Sequence, residues 1–197
     1  MRLLLISNTH GELGIINERV EQLRADAVIH AGDFGFHDHG SIERASVREV
    51  AMHLLHSDMS REQIRAAEKM TPDAMRAFAA ENLCLSELPE FIQGKQRFRV
   101  PVHAIWGNHE DVTVIDALRQ GEIRAENLLL LDERAVHSIG PLRLFGLGGN
   151  VIPQGRSIHG TDSVKVSPEF GQRLLKEPGQ LATLLGIFED LEHRVEL

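Results

Sequence analysis

The first apolar block of the chain, Leu3 to Ile6, shows no alternation, which predicts a central strand over residues 2–6 covered on both faces. Over residues 13–24 the pattern changes: Leu13, Ile16, Val20 and Leu23 recur at spacings of three and four, the single stripe of an amphipathic helix. A second continuous run, Ala27-Val28-Ile29-His30-Ala31, is closed by Gly32-Asp33. Strand, helix and strand in that order make a βαβ unit, which implies a parallel pair and a right-handed crossover.

From residue 41 to 93 helical spacing takes over, with Val47, Val50, Leu54 and Leu55 followed by Ile64, Ala67 and Met70. Ser60 precedes Gln63 by three, a capping-box pattern, and Thr71-Pro72 puts a proline where a helix would start. Two or three helices are therefore expected as an insertion, about residues 41–93, between the second and third strands. The third strand is expected over residues 101–106, ending in Gly107-Asn108-His109-Glu110. Further strands are expected over residues 128–131 and, after the Gly140-Pro141 turn, 142–147. Residues 148–163 have the composition of a long loop, and residues 168–175 and 179–191 are expected as the last helices.

Composition narrows the class. With 42% apolar and 25% charged residues among 197, the chain is expected to form one globular domain over residues 1–197. No run of eighteen apolar residues predicts a membrane span, and Ser7-Asn8-Thr9-His10 ends the first apolar run too soon for a signal core. A single cysteine, Cys84, rules out an internal disulfide and points to the cytoplasm. The net charge of −8 argues against a surface that grips nucleic acid broadly. Eleven histidines are many for this length and suit a metal-dependent enzyme.

The chemistry is concentrated at strand ends. Asn8-Thr9-His10, Gly32-Asp33 and Gly107-Asn108-His109-Glu110 each follow a predicted strand, and the carboxyl ends of parallel strands converge on one crevice. Carboxylate, imidazole and amide groups meeting there could ligate a divalent ion.

In these motifs the sequence resembles the calcineurin-like metallophosphoesterase superfamily, whose pattern runs D-x-H, G-D and G-N-H-D/E. The resemblance covers residues 1 to about 150, including Gly146-Leu147-Gly148-Gly149. It implies an α/β fold, the four-layer αββα sandwich, incomplete at the C-terminus. It also implies two divalent ions (Mn, Fe or Zn) about 3.5–4 Å apart. Asp33 would bridge them, His10 would bind the first and Asn108 the second, and His109 would act beside the leaving oxygen as general acid or phosphate-stabilising cation. The reaction implied is hydrolysis of a phosphomonoester or phosphodiester on a small molecule, protein or nucleic acid.

Two departures accompany the likeness. Asn8 stands where the family has an aspartate, so this chain offers a neutral amide as a metal ligand. The family's later isolated histidine and Gly-His-x-His pair have no counterpart, since only His137, His159 and His193 follow residue 110. The expectation is a truncated fragment or split gene, against a naturally degenerate homologue, and in either case little activity. A pseudo-phosphoesterase serving binding or assembly is the alternative. A further one is an RNA lariat debranching-like nuclease, suggested by His10-Gly11-Glu12-Leu13, Gly107-Asn108-His109-Glu110 and residues 127–149.

Other polar residues have plainer readings. Asn8 serves equally well as a cap for the following helix. Glu110 is expected behind the ligands or at a helix start, His37 and His39 in a solvated loop, His53 and His56 on an exposed helix face, Cys84 buried and inert, and Asn150 in a turn. The inserted helices are expected to pack beside the site or to project as a cap or dimer surface, which leaves a homo-oligomer open.

Overall fold

Each short apolar run becomes a strand, and the strands pair in the order in which they occur. In the computed structural model, which describes residues 1–132, 135–144 and 146–148, β1 (Leu3–Ile6), β2 (Ala27–Ala31), β3 (Val102–Ile105) and β4 (Leu128–Leu130) form one sheet ordered β1-β2-β3-β4. Every pair in it is parallel. Because β1, β2 and β3 are neighbours, the three motif loops emerge side by side at one end of the sheet. The α/β expectation holds. A second, two-stranded antiparallel sheet joins β5 (His137–Ile139) to β6 (Leu142–Leu144) across the Gly140-Pro141 turn.

The register sorts the sheet's residues by face. Leu4, Val28, Val102 and Leu128 lie in one row, with Ile6, His30, Ala104 and Leu130 in the next row on that face. This face carries the main core, where it meets Leu13, Ile16 and Val20 of α1 (Gly14–Leu23) and Val114 and Ile115 of α7 (Val112–Gln120). The opposite face shows Leu5, Ile29, His103 and Leu129, and Leu5 is 67% exposed. The expectation of a central first strand is thus corrected. β1 is an edge strand among the described residues, and an apolar run without alternation does not reveal strand position. Leu23, also assigned to the helical stripe, is 46% exposed because α1 ends there, with Arg24 left-handed behind it.

Between β2 and β3 every regular element is a helix, and the division is finer than expected. The chain forms α2 (Ser41–Arg44), α3 (Val47–Leu55), α4 (Arg61–Ala67), α5 (Pro72–Asn82) and α6 (Leu88–Ile92). The divisions are made by caps. Ser46 with Glu49 and Ser60 with Gln63 form capping boxes, while Thr71 accepts from the Ala74 N–H ahead of Pro72. Helices α2 to α5 enclose a second core of Ile42, Val50, Leu54, Ala67, Met75 and Ala79, separate from the main one. Helix α6 instead joins the main core, where Phe91 stacks on Phe98 at 4.2 Å. Cys84 is exposed, a correction with a simple cause: past α5 the chain is extended, and Leu83 and Leu85 on either side pack inward. The strands expected over residues 101–106 and 142–147 are shorter at their ends. The expected helices at 168–175 and 179–191, and Asn150, lie outside the described residues. Among the described residues no helix is long and apolar enough to cross a membrane.

Two separate cores should lose stability separately. Leu54→Ala empties a site that is 2% exposed and is expected to cost about 2–5 kcal/mol. Hydrogen exchange should then accelerate across α2–α5 while amides of β1–β3 keep their protection. Uniform acceleration through the sheet would show instead that both cores open together.

Candidate metal centre

Backbone conformation singles out the first two motif loops before any side chain is considered. Only five non-glycine residues of the described chain have positive φ, and three of them are Asn8 (57°), His10 (46°) and Asp33 (51°). Side chains seldom adopt this region, and such residues gather at sites whose surroundings force the geometry. Here the forcing comes from the β1–β2 ladder, which continues past the strands. The Asn8 N–H donates to the Gly32 carbonyl (3.0 Å), His10 to Asp33 (2.9 Å) and Gly11 to Phe34 (2.9 Å). Gly35, at φ 98°, lies so close to the backbone of Gly11 that a side chain would collide with it.

Beneath these loops, Thr9 ties them together. Its hydroxyl donates to the Phe34 carbonyl (2.9 Å) and lies 3.0 Å from His30 Nε2. With the hydroxyl proton committed, Nε2 must donate, which places the imidazole proton there and leaves buried Nδ1 without a partner. Burial, with His10 adding to it, pushes His30 down to about 4, so the ring is neutral.

The third loop is joined to the second through Glu110. Its carboxylate accepts from the N–H groups of Phe34 (2.7 Å), Gly35 (3.1 Å), Phe36 (2.6 Å) and Gly107 (3.4 Å). Burial pushes this carboxyl above its ordinary range, against the pull of the four donors. Glu110 is therefore a brace behind the site and does not start a helix; Asp111 caps α7 through the Thr113 N–H. A carboxylate three residues past a glycine, opposite the Phe34-Gly35-Phe36 run of backbone donors, carries this contact. Phe34 and Phe36, both fully buried and stacked at 4.5 Å, anchor the braced loop.

Asp33 is the residue this scaffold presents. Among the described residues its Oδ1 is buried with no hydrogen-bond partner, and it packs against Gly107 so closely that a Cβ there would overlap the carboxylate. An unpaired buried carboxylate oxygen is costly, and a cation or a hydrogen-bond donor would relieve it. Asn108 donates its Nδ2 to His109 Nε2 at 3.0 Å, so its amide oxygen is the atom left for a ligand. His109 and His10 approach with ring centroids 6.2 Å apart. Asn8 does not cap α1, whose N-cap is Leu13; its amide donates to Ser7 Oγ (2.9 Å). Among the described residues, no three His, Cys, Asp or Glu side chains gather as a metal shell. Asp33, His10 and Asn108 supply one carboxylate, one imidazole and one amide at the ends of neighbouring strands.

Two histidines sit differently from their sequence readings. His37 is buried, carried inward by the Phe36 anchor, and its ring meets His53 of α3 edge-on at 5.3 Å. His53 is half-buried and not on an exposed face, because it follows buried Val50 by three and flanks the inward stripe. His39 and His56 are exposed as expected. Burial first, then His53, pushes His37 down to about 4, against the raising influence of Asp111, the His109 backbone and Asp38. Arg44 of α2 pairs with both Asp38 and Asp111 (2.7 Å to the latter), binding the helical insertion to the second and third loops.

Replacing the brace should loosen the loop. Glu110→Gln leaves an amide nitrogen facing N–H donors and is expected to cost about 1–3 kcal/mol. Faster hydrogen exchange at Phe34, Gly35 and Phe36 would report it; unchanged exchange there would contradict the brace. Acid should act through His30. Its folded value of about 4 lies below the ordinary 6.5, so between those limits the unfolded chain binds the extra proton. Stability from this group is complete above pH 6.5 and lost as pH falls toward 4. Denaturant unfolding of His30→Gln should show a shallower acid slope than wild type; parallel slopes would refute the assignment.

A profile of the calcineurin-like phosphoesterase family matches residues 1–191. No curated protein and no solved structure matches the chain. The profile match takes in all three motif loops and extends beyond the stretch of about 150 residues that carries the motifs. The chain therefore belongs to the calcineurin-like phosphoesterase family, a family of phosphoester hydrolases.

Proposed function

We propose that this chain binds one divalent cation at Asp33 and hydrolyses a phosphoester there slowly. The observation that carries the reading is the buried, unpartnered Oδ1 of Asp33 at the meeting of three braced loops. Asp33, the Asn108 amide oxygen and His10 would hold the ion, with Asn8 as a weak neutral ligand. Such an ion supplies Lewis-acid polarisation of a phosphoryl group and a more acidic water. The chain's own residues do the rest. Asn108, donating to His109 Nε2, orients that imidazole and puts the neutral ring's proton on Nδ1. His109 and His10, 6.2 Å apart, flank the space where a phosphoryl group would sit, and His109 serves the leaving oxygen. A cytoplasmic setting belongs to the same proposal and rests on the single cysteine.

A pseudo-phosphoesterase is the second reading, favoured by the Asn8 amide engaged with Ser7 in place of a carboxylate. The lariat-debranching reading gains no support from the described residues.

Calorimetric titration of Mn²⁺ into wild type, Asp33→Asn and Asn8→Asp separates the two, alongside hydrolysis of bis-p-nitrophenyl phosphate. Asp33→Asn should weaken binding about tenfold or more, and Asn8→Asp should tighten it about tenfold, each tenfold being about 1.4 kcal/mol. Chelator-sensitive turnover should be low in wild type and little improved in Asn8→Asp. Equal Mn²⁺ affinity in wild type and Asp33→Asn would sink the proposed centre, and Mn²⁺ binding with no turnover at all would favour the pseudo-enzyme.

A further inference from the structure

Helix α1 begins without a cap of its own. Its N-cap is Leu13, whose side chain offers no acceptor, and its first turn holds no acidic residue. The acceptor comes from 73 positions away: Glu87, the N-cap of α6, takes the Gly14 N–H on Oε2 at 2.6 Å. A carboxylate at this end also suits the helix dipole. The Glu87 backbone N–H donates to the Gly11 carbonyl at 2.9 Å, so one residue grips the turn at both Gly11 and Gly14. Gly11, left-handed at φ 92°, lies so close to the Leu85 carbonyl and Ser86 Cα that a side chain would collide with them. Its own N–H is bonded to the Phe34 carbonyl. Glu87 has little freedom in turn, since Ser86 and Leu88 on either side are buried. His10 directly precedes this pinned turn, exposed and at φ 46°, with its ring centroid 6.2 Å from that of His109.

We infer that Glu87 is a positioning residue for His10: by holding the turn from Gly11 to Gly14 it sets where that imidazole stands beside the Asp33 centre, and with it the affinity for a divalent cation. The effect on cation affinity rests on the hydrolase reading; the placement of His10 does not. The competing account is that Glu87 only caps α1. Its loss would then lower stability, and neither the His10 ring nor cation affinity would follow.

The experiment uses the full chain with three substitutions of Glu87. Glu87→Ala removes the acceptor, Glu87→Asp keeps the charge on a side chain too short to reach, and Glu87→Gln keeps an amide oxygen for the Gly14 N–H. Without metal, the His10 imidazole resonances should shift in Glu87→Ala and Glu87→Asp and return to their wild-type positions in Glu87→Gln. In calorimetric titration with Mn²⁺, Glu87→Ala should weaken binding about fivefold in the wild-type background and less than about twofold when His10→Gln is already present. Unmoved His10 resonances in both shortened variants, no recovery in Glu87→Gln, or equal weakening in the two backgrounds would overturn the inference. Glu87→Asp carries the test should Glu87→Ala not fold. Failure of the hydrolase reading is distinguishable: wild type would then bind no Mn²⁺, and the His10 resonances, measured without metal, decide alone.

Discussion

Three successive backbone N–H groups, those of Phe34, Gly35 and Phe36, point into the interior where no strand continues to receive them. Glu110 receives all three and adds Gly107 from its own loop. Each unpaired buried donor would cost about 1–3 kcal/mol, so without this carboxylate the second loop could not keep its path. The rest of the site follows from that path. Phe34 and Phe36 enter the main core, Asp33 is held at φ 51° against Gly107, and His37 is delivered to α3. The acid closing the Gly-Asn-His-Glu motif is thus structural, and its burial is tolerated because four donors favour its charge.

Strain in the first two loops has a similar origin. Left-handed conformations at Asn8, His10 and Asp33 cost about 1–3 kcal/mol apiece when nothing compensates. Asn and Asp bear this region better than most residues, and the continuing β1–β2 ladder supplies a hydrogen bond beside each. The result is a centre shaped before any ligand arrives. The insertion is joined to it at two points of contrasting chemistry. Arg44 bonds Asp111, whose carboxyl, despite burial, is held below its ordinary range by Arg44, Ser41 and Thr113; His37 meets His53 edge-on.

Much of this architecture was legible in the sequence, for reasons that also mark where legibility ended. Uninterrupted apolar runs located β1 to β3, and the Ser60–Gln63 and Thr71-Pro72 patterns fixed the starts of α4 and α5. These signals are local. Strand position in the sheet is not, and nothing local marks Leu5 as exposed on a strand that lies at the edge among the described residues. Motif order brought Asn8, His10, Asp33, Asn108 and His109 to neighbouring strand ends, because consecutive parallel strands leave little freedom. What the motifs could not show were partners distant in sequence. The Glu110 bonds to residues 34–36 span more than seventy positions, and the pairing of His37 with His53 depends on how a cap-divided insertion folds back.

Asn8 is the point where stability and cation affinity pull apart. A carboxylate there would stand one strand away from Asp33, about 5 Å across the sheet. Two like charges at that separation repel by about 1–3 kcal/mol, depending on solvent access. Asparagine avoids the repulsion, tolerates the left-handed φ and bonds Ser7. Under the proposed centre the same exchange would remove an anionic ligand, so the folded chain would depend less on a cation while holding one more weakly. Asp33 escapes this relaxation. Its Oδ1 stays buried and unpartnered, enclosed by Gly107 and by a loop that Glu110 keeps in place. The scaffold thus keeps a buried, unpartnered carboxylate oxygen at the position where the loops leave it least freedom to move away.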